Sequence, residues 1–455
     1  MATDDQQRGQ QLWFGQAWLA DGWARDVRLT VGDGKLARIE TGVAKSPSDE
    51  AHAIGLAGLP NLHSHAFQRG MAGLAETRGP TGDSFWSWRE VMYRFVERLD
   101  PDGFEAIAAM AYCEMLESGF TRVGEFHYLH RDKDGAPFAD RGEMAARIAS
   151  ACATTGIGLT LLPVFYAHSG FGGQPPKPGQ RRFIHAPDEY AMLLDASRRA
   201  VAPLDDAVVG VAPHSLRAVT KDELDVVTAH PGPVHIHVAE QIKEVEDCVA
   251  WSGLRPVEWL LRHADVDARW CLVHATHMTK AETRAVASAG AVVGLCPITE
   301  ANLGDGVFPA QWYDGAFGIG TDSNVLIDAA EELRVLEYGQ RLIHRARNVM
   351  APHEGASTGA TLYRAALAGG AQALGADARA LHEGGAADIV SLDAEHPALT
   401  GRDGDALLDG WIFAARGATV DGVWRRGRKV VAHGRHVARD AIAARYRKAL
   451  SLLLS

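Results

Sequence analysis

Eight short apolar runs, each closing on polar or ionisable residues, recur through the middle of the chain: GLPNLHSH, TRVGEFHYLH, LTLLPVFYAH, AVVGVAPHS, PVHIHVAE, WCLVHATH, AVVGLCP and AFGIGTDS. No other feature limits the fold so narrowly. Runs of about five apolar residues read as strands buried on both faces, the mark of a parallel sheet. Most are separated by stretches with helical periodicity, such as 101–119, 143–156 and 221–230. Eight buried strands alternating with helices predict an α/β fold, a (β/α)₈ TIM-like barrel, with its chemistry at the C-terminal ends of the strands. A doubly wound sheet is the structural alternative.

The two chain ends have a different texture. Residues from about 12 to 57 alternate apolar and polar positions with turn signals at Asp21-Gly22 and Asp33-Gly34, and the same texture returns in 387–393 and 418–437. These segments predict one small β-sandwich domain formed from both ends, residues 1–57 and 385–455, with the barrel, 58–384, inserted between its halves. A chain of 455 residues is long enough for a barrel of about 250 residues and a satellite.

Charge and targeting signals narrow the function classes. The formal charge is −11, from 57 acidic against 46 basic residues, which excludes nonspecific attachment to nucleic acid or an anionic membrane. An anionic small molecule stays admissible, because a few buried arginines dominate a local site. The N-terminal MATDDQQRGQQ lacks the apolar core of a signal peptide, and no run approaches the ~18 apolar residues of a membrane span, so a cytoplasmic protein is expected. Five cysteines are scattered without Cys-x-x-Cys spacing, which argues against a disulfide framework or a thiolate zinc site. Any bound metal must be held by histidine and carboxylate. Two long connections, 75–100 with FWSWRE and 169–183 with SGFGGQPPKPGQRRF, read as lids or binding loops.

The run ends carry the candidate chemistry. His63-Ser64-His65 closes the first, and on a strand residues i and i+2 share a face with Cα atoms ~6.5 Å apart, so both imidazoles can meet one ion. The fifth run offers His237 as a further ligand and Glu240 beside it, while His235, one pleat deeper, reads as a hydrogen-bonded core residue. The sixth run supplies His274 and His277, and the eighth supplies Asp322.

His63-x-His65, His237, His274 and Asp322 at the first, fifth, sixth and eighth strands resemble the amidohydrolase superfamily. That resemblance implies a metal-dependent hydrolase on a (β/α)₈ barrel with a composite terminal β domain, commonly as a homodimer. Binuclear members carry a bridging lysine or glutamate at the fourth strand, whereas this chain has VGVAPHS there and no lysine between Lys177 and Lys221. The departure favours the mononuclear, deaminase-like subgroup. It implies one divalent ion, Zn²⁺ foremost, held by His63, His65, His237 and Asp322.

Within that subgroup, LPNLHSHAFQRGMAG, VGEFHYLH, GFGGQPPKPGQRRF, VAPHSLRAV, HIHVAEQ, GLCPITEANLGDGVFP and GIGTDS resemble the N-formimino-L-glutamate deiminases of histidine degradation. This resemblance implies substrate contacts at Gln68, Arg89, Tyr128, His214 and Arg217, and catalysis by Glu240, His274 and Asp322. The physical demand agrees, since a small dicarboxylate needs forked, permanently charged donors such as two arginines. Glu125 and His127 read as structural, and Glu300, Asn302 and Asp305 as pocket-shaping residues without an assigned role. The competing readings are another mononuclear deaminase, acting on a purine, a triazine or a different N-formimino acid, and a metal-free scaffold.

Overall fold

The computed structural model describes residues 10–79, 85–377, 380–417 and 419–455. The polar residues 1–9 and part of the 75–100 connection, residues 80–84, lie outside them. Strands β1 (Gln10–Leu19) and β2 (Gly22–Gly32) form an antiparallel hairpin in register from Gln10↔Val31 to Leu19↔Gly22. Strand β3 (Lys35–Glu40) follows through Asp33 and Gly34 at φ of 50° and 76°, the paired positive φ of the hairpin turn that Asp-Gly favours. Strand β4 (Glu50–Ala57) returns parallel to β1 and leads directly into the barrel.

The barrel strands are β5 (Leu59–Ser64), β6 (Phe120–His127), β7 (Gly158–Phe165), β8 (Val208–Val209), β9 (Ala212–Pro213), β10 (Val234–Val238), β11 (Trp270–His274), β12 (Val292–Leu295) and β13 (Phe317–Ile319). They make two parallel arcs, β5 to β9 and β10 to β13. Bridges Val211↔Val234 and Ser215↔His237 join the arcs on one side, and Ser64↔Asp322 joins them on the other. The predicted fourth strand is broken into β8 and β9. Gly210 lies at the break, where a Cβ would come within 2.5 Å of Pro233 O, and Pro213 has no N–H to give the ladder. The C-terminal turn of helix Thr358–Ala373 reaches the barrel floor: Ala373 O accepts from His235 Nε2 at 2.7 Å, and Leu374 O from Thr160 Oγ1 at 2.9 Å. His235 is the core residue its depth implied.

Strands β14 (Ile389–Leu392), β15 (Val420–Arg425), β16 (Arg428–Ala432) and β17 (Arg435–His436) complete an eight-stranded sheet in the order β17-β16-β15-β14-β4-β1-β2-β3. Both chain ends therefore build one sheet. The sheet curls so that its β3 edge meets the chain just before β14: Leu36 N donates to Gly385 O at 2.9 Å and Ala387 N to Gly34 O at 3.0 Å. The last helix, Arg439–Leu454, leaves the sheet and packs on the barrel, where Arg445 Nη2 meets Glu105 Oε1 at 2.7 Å.

The FWSWRE stretch, expected as part of a connection, opens helix α1 (Phe85–Arg98), whose Phe85, Met92, Phe95 and Val96 form a buried stripe. Helix α2 (Pro101–Glu117) starts on an Asp100 cap that accepts from Gly103 N at 2.7 Å, with Pro at its first turn. The 169–183 segment is pinned down. Phe171 stacks on Trp251 at 5.5 Å, and buried Arg182 donates to Val96 O and Leu99 O at 2.5 and 2.8 Å, closing the end of α1.

Candidate metal centre and active site

Two seam hydrogen bonds between the first and last barrel strands set the ligand geometry: Asp322 N donates to His63 O at 3.0 Å, and His65 N to Asp322 O at 2.9 Å. Asp322 sits at φ 43° and Asn324 at φ 55°, a left-handed pair that turns the carboxylate back toward β5. Asn324 braces that turn, donating to Ser64 Oγ, His65 O and Asp322 O at 3.1, 3.0 and 3.1 Å, and accepting from Thr321 Oγ1 at 2.6 Å.

Four ligand atoms converge as a result. His63 Nε2 lies 3.2 Å from His65 Nε2 and 3.1 Å from His237 Nε2, and Asp322 Oδ1 is 3.2 Å from both His63 and His65 Nε2. His65 Nδ1 donates to Phe126 O at 2.8 Å and His237 Nδ1 to His214 O at 3.0 Å, which leaves both Nε2 lone pairs facing the centre. Facing lone pairs repel unless a cation lies between them. A tetrahedral ion with 2.0–2.1 Å bonds needs ligand atoms ~3.3–3.4 Å apart, close to these separations. Burial pushes His63 down to about 3 and holds His237 well below its ordinary range. Burial would raise Asp322, but the imidazoles of His63 and His65 beside it outweigh burial and hold the carboxyl well below its ordinary range. Neutral imidazoles and an ionised carboxylate are the forms a metal requires. The residues present fit one divalent ion.

The same centre opens into a pocket with about 570 Å³ of empty space, mouth included. Gln68, Arg89, Tyr128, His214, Arg217, Glu240, His274 and Asp322 all line it. Gln68 Nε2 donates to Tyr128 Oη at 2.7 Å. Arg217 is only 8% exposed, yet among the described residues its Nε and Nη1 have no partner. Burial would discharge that guanidinium, but Glu244 and Glu240 nearby hold it charged. Arg89 reaches the pocket from α1, not from a loop, with Cζ 4.9 Å from the Trp86 ring centroid, while Arg217 Cζ lies 5.6 Å from the same ring. Burial, with Arg217 adding to it, keeps His214 neutral.

Glu240 follows Ala239 at φ 52°, and Glu244 ties this turn by accepting from Ala239 N and Glu240 N at 3.3 and 3.1 Å. Burial raises the Glu240 carboxyl to about 7, with His274 and Arg217 opposing. His274 Nε2 lies 3.9 Å from Glu240 Oε1. Burial alone would lower His274, but Glu240 and Glu300 outweigh it and push it up to about 10.

Not every flagged residue joins the pocket. His277 N donates to Ala239 O at 3.0 Å, Asn302 Nδ2 donates to Glu76 Oε1 at 2.8 Å, and Asp305 accepts from Gln241. Glu125 Oε1 accepts from Ala66 N at 2.8 Å beneath the metal centre. Tyr166 lines the pocket without having been expected there, Trp88, Tyr93 and Phe183 line it from the two connections read as lids or binding loops, and Asn324 was missed although Asn after a strand-end Asp is a left-handed-turn signal.

Residues 54–430 match the profile of the Amidohydrolase family, and residues 12–53 that of the N-terminal domain of formimidoylglutamate deiminase HutF. The formimidoylglutamate deiminase of Pseudomonas aeruginosa is 51% identical over 448 residues, covering 96% of this chain and 98% of its own. The crystal structure of an amidohydrolase from Brucella melitensis superposes with a TM-score of 0.95 at 58% identity, over 98% of this chain and 100% of that one. An adenosine deaminase from Xanthomonas campestris with bound zinc superposes with a TM-score of 0.79 over 98% of each chain; at 22% identity that likeness is one of fold. With its barrel, its three histidines and its aspartate in place, the chain belongs to the amidohydrolase family.

Proposed function

We propose that this chain hydrolyses N-formimino-L-glutamate to N-formyl-L-glutamate and ammonia; its Pseudomonas aeruginosa relative is named a formimidoylglutamate deiminase. The observation that carries the reading is Arg217, a buried guanidinium with two unpartnered nitrogens in the pocket that the His₃Asp centre opens into. Such a group is completed by a carboxylate, and Arg89 across the Trp86 ring is ready for a second. A nucleobase has no use for either.

When bound at His63, His65, His237 and Asp322, one divalent ion, Zn²⁺ foremost, supplies Lewis acidity that makes water nucleophilic near neutral pH. Asp322 accepts a proton from the attacking water. The water oxygen adds to the formimino carbon, and His274 Nε2 faces the developing tetrahedral centre from β11. Glu240, poised near neutrality by burial, binds the amidine and delivers a proton to the terminal nitrogen. The proton held by Asp322 then completes the leaving group, the carbon–nitrogen bond breaks, ammonia leaves, and the tetrahedral hydroxyl returns a proton to Glu240 as the carbonyl forms. Arg89, Arg217, Tyr128, His214 and Gln68 fix both carboxylates, so remote binding energy orients the reacting carbon.

We further read the curled end sheet as a sandwich folded on itself, because a Cβ at Gly427, beyond β15, would lie 2.3 Å from Val31 Cγ1 on β2. Five buried thiols suit a reducing, cytoplasmic setting. The test is ammonia release with formiminoglutamate, formiminoaspartate and guanine side by side, together with metal analysis. The reading expects preference for formiminoglutamate and about one divalent ion per chain; a preference for guanine, or two ions, overturns it.

A further inference from the structure

The short helix Pro297–Leu303 begins at Cys296, and Glu300 in its first turn bends back on its own start. Glu300 Oε1 accepts from Cys296 N at 2.9 Å and from His274 Nδ1 at 3.2 Å. Its backbone is held as well: Glu300 N donates to Cys296 O at 2.8 Å, and Asp305 N donates to Glu300 O at 3.0 Å. The carboxylate is 5% exposed and does not line the pocket.

The ring it holds needs holding. His274 sits at φ 68°, so its backbone is in the left-handed region. The terminal torsion of histidine is broad and roughly two-fold, so packing alone leaves the ring a flipped alternative in which Nδ1 and Cδ2 trade places, and Nε2 and Cε1 with them. His274 is flanked by His237, stacked at 5.5 Å and 15°, a flat contact that admits both orientations. Glu300 discriminates between them, because only one places Nδ1 on its oxygen and Nε2 toward Glu240. Cys296, His274 and Glu300 also bring ligand atoms within 4.8 Å of one another. They make a brace and not a second metal site: burial keeps the Cys296 thiol protonated, and the His274–Glu300 hydrogen bond uses the other two ligand atoms.

We infer that Glu300 is a positioning residue of the reaction, which fixes the His274 ring so that Nε2 points at Glu240 and the reacting carbon. The inference rests on the role given to His274 above. It assigns Glu300 no contact with substrate.

The experiment is a double-mutant cycle on the full-length, metal-loaded enzyme, with kcat and KM for ammonia release measured for H274A, E300A, E300Q and both doubles. Misorienting a catalytic group costs on the order of 10²-fold, so E300A should lower kcat by about that factor with KM within threefold. E300Q keeps an acceptor for Nδ1 and should retain at least about a tenth of kcat. In the H274A background neither change should lower kcat further, since Glu300 acts through that ring. If E300A does not fold, E300Q and E300Q/H274A decide alone by the same criteria. E300A with near-normal kcat, E300Q as damaging as E300A, or a further loss in the H274A background each overturns the inference. Near-normal turnover in H274A instead overturns the reading of His274, and this inference with it.

Discussion

Removing the Arg217 side chain is the sharpest perturbation of the proposed carboxylate clamp. Its guanidinium is buried at 8% exposure and lines the pocket, and among the described residues Nε and Nη1 have no hydrogen-bond partner. A carboxylate docked on one edge of a guanidinium gains two charge-assisted hydrogen bonds, each worth about 1.5–3 kcal/mol. Water refilling the truncated site returns part of that, which leaves a net loss near the lower end, about 3–4 kcal/mol for the pair. At 1.36 kcal/mol per tenfold, R217A should lower kcat/KM for formiminoglutamate by about 10²–10³. R217K, which keeps the charge and loses the planar fork, should fall between the two. The assay is coupled ammonia release, run in parallel on analogues that lack one carboxylate or the other. For the analogue missing the carboxylate Arg217 meets, the ratio of wild type to R217A should collapse toward one, because nothing remains for the guanidinium to bind. An equal loss on the parent and on both analogues, at unchanged metal content, would refute the clamp and leave Arg217 a structural residue.

E240Q removes a proton carrier while preserving shape, and D322A removes both a ligand and a base; each should lower kcat by at least about 10², and near-normal turnover in either contradicts the proposed proton path. N324A deletes the brace at the β5–β13 seam, where Thr321 Oγ1 loses its acceptor and Ser64 Oγ loses a donor, while His65 O and Asp322 O keep Gln68 N and His65 N. With about 1–3 kcal/mol for a buried hydroxyl left without its acceptor, partly relieved by water, it should destabilise the enzyme by about 1–3 kcal/mol, and an unchanged melting temperature excludes that role. Asp206 joins barrel to end sheet by accepting from Arg122 and Arg425; burial would raise its carboxyl, but the two arginines hold it below 3.8. A lowered native pKa means stability present above 3.8 and lost as pH falls through the native value, so D206N should melt lower than wild type at pH 7, with the gap closing toward pH 3. A gap that stays constant across that range refutes the linkage.

The parts of the site that sequence made legible are those whose role is local. His63-x-His65 states its geometry in three residues, and His237 and Asp322 each stand where a buried run stops. The interruption of the fourth strand was also written, in Gly210 and Pro213, but an apolar run outweighs two residues in a periodicity reading. Arg89 was found as a residue and misplaced as an element, because α1 is fixed over the mouth by Arg182 from a segment more than eighty residues later. Glu300 carried no local signal of its task, and the turn signal of Asn324 did not say what it braces. Each acts on a neighbouring strand, the sixth and the first, and such pairings are visible only once the barrel is closed.

Barrel closure and ligand convergence are one event here. The bridge Ser64↔Asp322 is what joins β5 to β13, and the residues flanking it, His63, His65 and Asp322, supply three of the four ligands. Ala239, His274, Ala275, Asp322 and Asn324 all have positive φ, and all lie at the exits of β10, β11 and β13. A non-glycine residue in that conformation costs roughly 1–2 kcal/mol, so the strand exits hold backbone energy that no packing preference would select. Each such turn reverses a chain that would otherwise run on into its helix, and brings His274, Glu240 or Asp322 over the barrel axis. The seam hydrogen bonds, the Asn324 brace and the Glu244 and Glu300 carboxylates offset that energy. The same bonds hold the ligand atoms of His63, His65 and Asp322 3.2 Å from one another, with His237 Nε2 3.1 Å from His63 Nε2, so the backbone that closes the barrel also sets the spacing a tetrahedral ion spans.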